Sequence, residues 1–96
     1  MNKNEFNRRQ KAREEHLQSL TLKISRRDWR TAREEIGLEK ADAEHDEYVN
    51  FIMLAHKASG KPFTELDEMG FDALMNTVFP ADLVPTAEEL AVAGEQ

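Results

Sequence analysis

The side chains that could do chemistry are few, and their spacing does not favour it. The histidines are His16, His45 and His56. His45 and His56 are eleven residues apart, which nearly repeats one helix face. Along a helix axis, however, that spacing is roughly 16 Å at about 1.5 Å per residue, so the two cannot share a metal within one helix. His45 stands among Asp42, Glu44 and Asp46, and an Asp42/His45/Asp46 set contains residue types that ligate a divalent cation. The simpler reading is a solvated histidine near an acidic helix start, and no metal site is expected. Carboxylates occur in adjacent pairs at Glu14-Glu15, Glu34-Glu35, Asp46-Glu47, Asp67-Glu68 and Glu88-Glu89. Adjacent acids point to different helix faces, whereas catalytic carboxylates need a shared pocket that perturbs them. Most of these pairs suit helix first turns, where the dipole favours negative charge. The chain has no cysteine, so it offers no disulfide, thiolate nucleophile or cysteine zinc site. It has no Gly-rich phosphate loop, calcium loop or Ser/His/Asp pattern beyond chance. The expectation is a protein with no catalytic residues and no cofactor, one that is not an enzyme.

Charge points to partners. The net charge of −6 divides unevenly: residues 1–33 carry ten Lys/Arg against four acids, and residues 34–96 carry three against fifteen. The basic residues Arg8, Arg9, Lys11, Arg13, Arg26, Arg27, Arg30 and Arg33, with Trp29 among them, invite a nucleic-acid reading. Glu14, Glu15, Asp28, Glu34 and Glu35 are mixed in, however, and the chain as a whole is acidic, unlike the basic domains that usually bind nucleic acid. A partner protein or a solvated face is the better reading. No apolar run approaches the length of about 20 residues that a membrane span needs. Residues 1–9 lack the apolar core of a signal peptide, so the expected compartment is the cytoplasm.

The elements needed to position these residues are helical. Residues 4–19 read as a polar helix whose large apolar residues are too few for a buried stripe, so 1–20 is expected to be a basic arm, frayed or ordered on binding. Leu20 to Ile24 alternate apolar and polar, which fits a short strand or an extended linker. Ser25 and Asp28 form a capping pattern, Trp29, Ala32 and Ile36 share one face, and Gly37 suits a left-handed helix end. An acidic connector over 38–46, with Asp42 as N-cap, leads to a helix over about 43–59. That helix is almost continuously apolar from Tyr48 to Ala55 and ends at Gly60, the pattern of a buried element. Thr64 and Asp67 offer another cap before a helix over 65–79 that Gly70 interrupts and Pro80 ends. Thr86 and Glu89 form a capping box for a last short helix, followed by a mobile tail from Ala91.

The expected architecture is all-α: a core domain of three main helices over 21–80, the arm over 1–20, and a short helix with an acidic tail over 81–96. Three short helices can scarcely enclose the apolar residues of 48–55 and 66–79, so a groove or dimer face, with self-association, is expected. The candidate partner-binding residues are Trp29, Phe51, Phe63, Phe71, Leu74 and Phe79. Trp29, on the apolar face of its helix, is also expected to be substantially buried.

One arrangement resembles a known family. "ISRRDWRTAREEIGL" (24–38) leads into "EKADAEHDE" (39–47). The apolar "YVNFIMLAHKASGK" (48–61) and then "PFTELDEMGFDAL" (62–74) follow. The layout resembles the small tail assembly chaperones of long-tailed bacteriophages, helical acidic proteins that coat the tape measure protein during tail assembly. The resemblance spans roughly 22–79 and is one of segment lengths and residue types. The family often has an aromatic pair in the middle of the apolar helix, where this chain has Met53-Leu54 and His56. The resemblance implies a protein-binding module, with an elongated helical client, that shields the client's apolar stripes. Two alternatives from other classes are an acidic DNA-mimic inhibitor of a host defence nuclease and a structural subunit of a virion assembly.

Overall fold

The computed structural model describes residues 2–37 and 47–94. Among these residues there are six helices and no strand: α1 (Lys3–Thr21), α2 (Arg26–Ile36), α3 (Glu47–Ser59), α4 (Phe63–Asp67), α5 (Phe71–Val78) and α6 (Ala87–Gly94). The all-α class is therefore as expected. The connector 38–46, with Asp42 and the Asp42/His45/Asp46 set, lies outside the described residues, as do Glu95 and Gln96.

The core forms around α3, which packs against α1, α2, α4 and α5. Its near-continuous apolar run explains why: Val49, Ile52, Met53, Leu54 and Ala55 are all buried, so the helix needs cover on several sides. Phe63 and Leu66 of α4 and Leu74, Met75 and Val78 of α5 supply part of it. Leu20 of α1 and Ala32 of α2 complete the contiguous cluster, with Phe79.

The helix ends follow the sequence in several places. Ser25 and Asp28 form a reciprocal capping box, with Asp28 Oδ2 accepting from Ser25 N–H at 2.7 Å. Gly37 and Gly60 stand at φ 69° and 75°, the left-handed conformation that lets each follow its helix without Cβ strain. Thr86 and Glu89 form the other box, each side chain accepting from the other residue's backbone N–H at 3.1–3.2 Å.

Elsewhere the structure corrects the reading. The 4–19 segment is a continuous helix rather than a frayed arm. Asn2 caps it by accepting from Glu5 N–H at 2.7 Å, and it carries the buried Arg13 and Leu20. The alternating stretch at 20–24 is no strand. Leu20 and Thr21 are helical, and turn bonds from Leu22, Lys23 and Ile24 satisfy the backbone locally, where a strand would need a neighbour. Thr64 does not cap. The helix starts earlier, after Pro62 in extended conformation, and Thr64 lies within it. Gly70, at φ −72° and ψ 167°, separates two short helices by serving as the N-cap of α5. Ala91 belongs to α6, so that helix continues into the segment expected to be a mobile tail.

A candidate protein-binding groove

Four large hydrophobic residues remain exposed among those described: Leu22, Tyr48, Phe71 and Leu90. Three of them border one depression. It is an open groove of about 530 Å³ between α1, α3, α5 and the start of α6, floored by Leu17, Phe51, Leu74, Met75 and Phe79. A smaller depression of about 300 Å³ adjoins it and shares Phe71, Met75, Pro85 and Leu90. Amphipathic geometry produces this arrangement. Phe71, Leu74, Met75 and Val78 fall at i, i+3, i+4 and i+7 on one face of α5, and Phe71, the first residue of the helix, is left 57 % exposed while the other three are buried. Tyr48, at the start of α3, donates its hydroxyl to the Asp67 carbonyl at 3.3 Å, which holds the ring beside the groove.

The candidate residues divide by position. Phe71 projects from the groove edge and Phe51 lies partly buried in its floor. Phe79 and Leu74 touch the floor but are 6 % and 0 % exposed, so their bulk belongs to the core. Phe63, 1 % exposed, is a core residue stacked on His56 at 4.2 Å between centroids, away from the groove. Trp29, expected to be substantially buried, is partly buried and packs against the core, and it is not a groove residue. The apolar residues of 48–55 and 66–79 are hidden more completely than three helices would allow, because α1 and the 80–91 segment add further cover.

That cover is fastened by side chains the sequence reading assigned to a solvated or partner-facing basic patch. Arg13 Nε donates to the Leu83 carbonyl at 2.6 Å, and its Nη2 donates to Glu89 Oε1 at 2.6 Å. Arg9 donates to the Asp82 carbonyl at 2.7 Å and pairs with Glu89 at 3.2 Å. Arg13 and Glu89 are 4 % and 3 % exposed, so this is a buried pair that ties the first helix to the last. Burial acts to raise the Glu89 carboxyl, but the hydrogen bonds from Arg13, Thr86 and Arg9 outweigh it, and the group titrates below the ordinary glutamate value. The Thr86–Glu89 box was the one visible sign that Glu89 has a structural task, and nothing in the sequence paired it with Arg13.

A second junction joins α2 to α3. Lys57 Nζ lies 2.9 Å from Asp28 Oδ2. Burial again acts to raise this carboxyl, and the bonds from Lys57 and Ser25 overcome it, leaving Asp28 lowered. His56 Nδ1 donates to the Lys61 carbonyl at 2.7 Å, holding the loop after α3. His16 Nε2 donates to the Val78 carbonyl at 2.8 Å. Both histidines therefore pin backbone. Among the described residues, no three His, Asp or Glu side chains are grouped to hold a metal ion, and no helix is long and apolar enough to cross a membrane.

The chain matches no protein-family model, and no curated protein or solved structure is significantly similar to it.

Proposed function

We propose that this protein is a non-enzymatic binding module whose groove receives an apolar stripe of a helical client, in the manner of a phage tail assembly chaperone. The observation that carries the reading is the clustering of Tyr48, Phe71 and Leu90 around one open depression; among the described residues the one other exposed large hydrophobic is Leu22. A contiguous apolar patch on a small acidic protein is a feature that marks interaction sites. The depression suits the helix-in-groove mode of recognition, in which side chains at i, i+3, i+4 and i+7 fill an apolar trough. The segment-length pattern over 22–79 supplies the tail assembly part of the reading, and with it cytoplasmic action on an elongated partner such as a tape measure protein. The acidic exterior keeps the loaded complex soluble.

The experiment is co-expression with the product of a neighbouring long helical coding sequence, followed by pull-down in low and high salt. A groove-mediated complex survives high salt, because screening acts chiefly on exposed charges, and is lost when Phe71 is replaced by Asp. A complex that dissolves at high salt and is unaffected by Phe71→Asp would overturn the reading, and would favour the charge-driven DNA-mimic alternative.

A further inference from the structure

The charges around the groove specify its occupant more closely. The charged residues lining the two depressions are Arg13, Glu14, Glu47 and Asp72. Arg13 is neutralised by its buried bond to Glu89. Glu14, Glu47 and Asp72 are exposed, and none takes part in an ion pair among the described residues. Helix dipoles account for carboxylates in first turns, which covers Glu47 and Asp72. Glu14 lies in the middle of α1, where no dipole favours it. The trough and the depression beside it therefore carry three uncompensated negative charges, two and one respectively, and no free cation on their lining. Electrostatic complementarity of this kind sets partner choice and orientation more than raw affinity.

We propose that the groove takes a cationic amphipathic helix, whose apolar stripe seats against Phe51, Tyr48, Phe71 and Leu90 and whose flanking Lys or Arg residues face Glu14, Glu47 and Asp72. The inference rests on the binding-module reading above. An acidic or neutral amphipathic helix fits the same trough but leaves the carboxylates unanswered, and two acidic surfaces repel.

The test uses the full chain and labelled synthetic helices of about 20 residues, long enough to hold helical structure. All but one share a Leu stripe at i, i+3, i+4 and i+7, flanked by Lys, by Gln or by Glu; the last has the Lys peptide's composition with the stripe shuffled. Binding is read by fluorescence anisotropy. The Lys-flanked helix should bind about tenfold tighter than the Gln-flanked one, the sum of a few exposed pairs, and the Glu-flanked helix should bind weakest. The triple variant Glu14→Gln, Glu47→Gln, Asp72→Asn should bind Lys and Gln helices alike while keeping its melting temperature. Equal binding of the three striped helices by the unaltered protein overturns the cationic preference and leaves the binding-module reading standing. Equal binding of the shuffled peptide also overturns it, because simple counterion attraction would then suffice. Failure of every striped helix to bind, or binding unchanged by Phe71→Asp, removes the binding-module reading itself. Sedimentation showing a dimer that Phe71→Asp breaks and no peptide displaces assigns the groove to a second copy of this chain, and likewise overturns the proposal.

Discussion

Arg13 is the residue whose structural role departs furthest from its appearance in the sequence. It stands in a run of cations that reads as a surface, yet its guanidinium is enclosed by Glu89, Gln10 and the Leu83 carbonyl. Breaking a buried pair by removing one partner strands the other charge, so Arg13→Met should cost about 3 kcal/mol, as should Glu89→Met. The double variant should be destabilised by less than the sum of the two, because neither charge is then left buried; urea unfolding of the four proteins measures the difference. If the costs are additive, the pair is not coupled and the contact is incidental. The same carboxyl sets a pH dependence. A lowered folded-state value means that the stabilisation is fully present above the unfolded-state value near 4.5 and is lost as pH falls through the folded one. Asp28, ordinarily near 3.8, acts in the same direction. The melting temperature should therefore fall below about pH 4.5, and Glu89→Gln should flatten that fall while lowering the plateau at neutral pH. An unchanged acid limb in the variant would show that other carboxyls dominate it.

At the scale of the element, the apolar face of α5 carries residues with two different tasks. Leu74 is fully buried, and Leu74→Ala should cost about 2–5 kcal/mol of folding stability, which makes it a poor probe of binding. Phe71 is mostly exposed, so Phe71→Ala should alter stability by no more than about 0.5 kcal/mol. It should weaken a groove complex by about 1–4 kcal/mol if the ring is an anchor. Thermal melts beside binding isotherms separate the two, and a large stability loss at Phe71 would place it in the core. Element by element, helix ends were the most legible feature, because a cap is a local device: Ser25, Thr86, Gly37 and Gly60 act on neighbours within a few residues. The run from Tyr48 to Ala55 was legible as the buried helix for a similar reason, since its composition demands cover from all sides. The misreadings arise where long-range contacts decide. The stretch after Leu20 alternates like a strand but has no strand beside it. α1 looks too polar to be held, and its hold comes from Arg9 and Arg13 on a segment some 70 residues further along the chain. Trp29 sits on the apolar face the spacing predicts and packs against the core, yet remains partly open, because how far a face is covered depends on neighbours distant in the chain.

For the whole molecule, the groove is a consequence of how the two ends of the chain meet. An apolar excess was legible in the sequence. Its location was not, because the trough exists only where α1, α3, α5 and α6 converge, and α6 reaches that place through Glu89. The segment after Pro80 is thus part of the fold's closure: Leu83 and Val84 pack on the core, and Pro85 and Leu90 line the trough. Removing residues 81–96 should leave a folded protein, since the cluster centred on α3 remains, but one less stable by about 3 kcal/mol from the apolar cover lost. The urea dependence should also become shallower, because less surface is exposed on unfolding. Hydrogen exchange locates the effect. Protection in α3 should persist, while the first half of α1, deprived of the carbonyls that hold Arg9 and Arg13, should exchange faster. With Leu90 gone and Phe79 and Leu17 uncovered, the trough should widen and bind a hydrophobic dye more strongly, yet discriminate less between striped and shuffled peptides. A truncated protein that melts with the full chain and keeps α1 protected would mean that 81–96 is a separable tail, and the groove would then have to be assigned to α1, α3 and α5 alone.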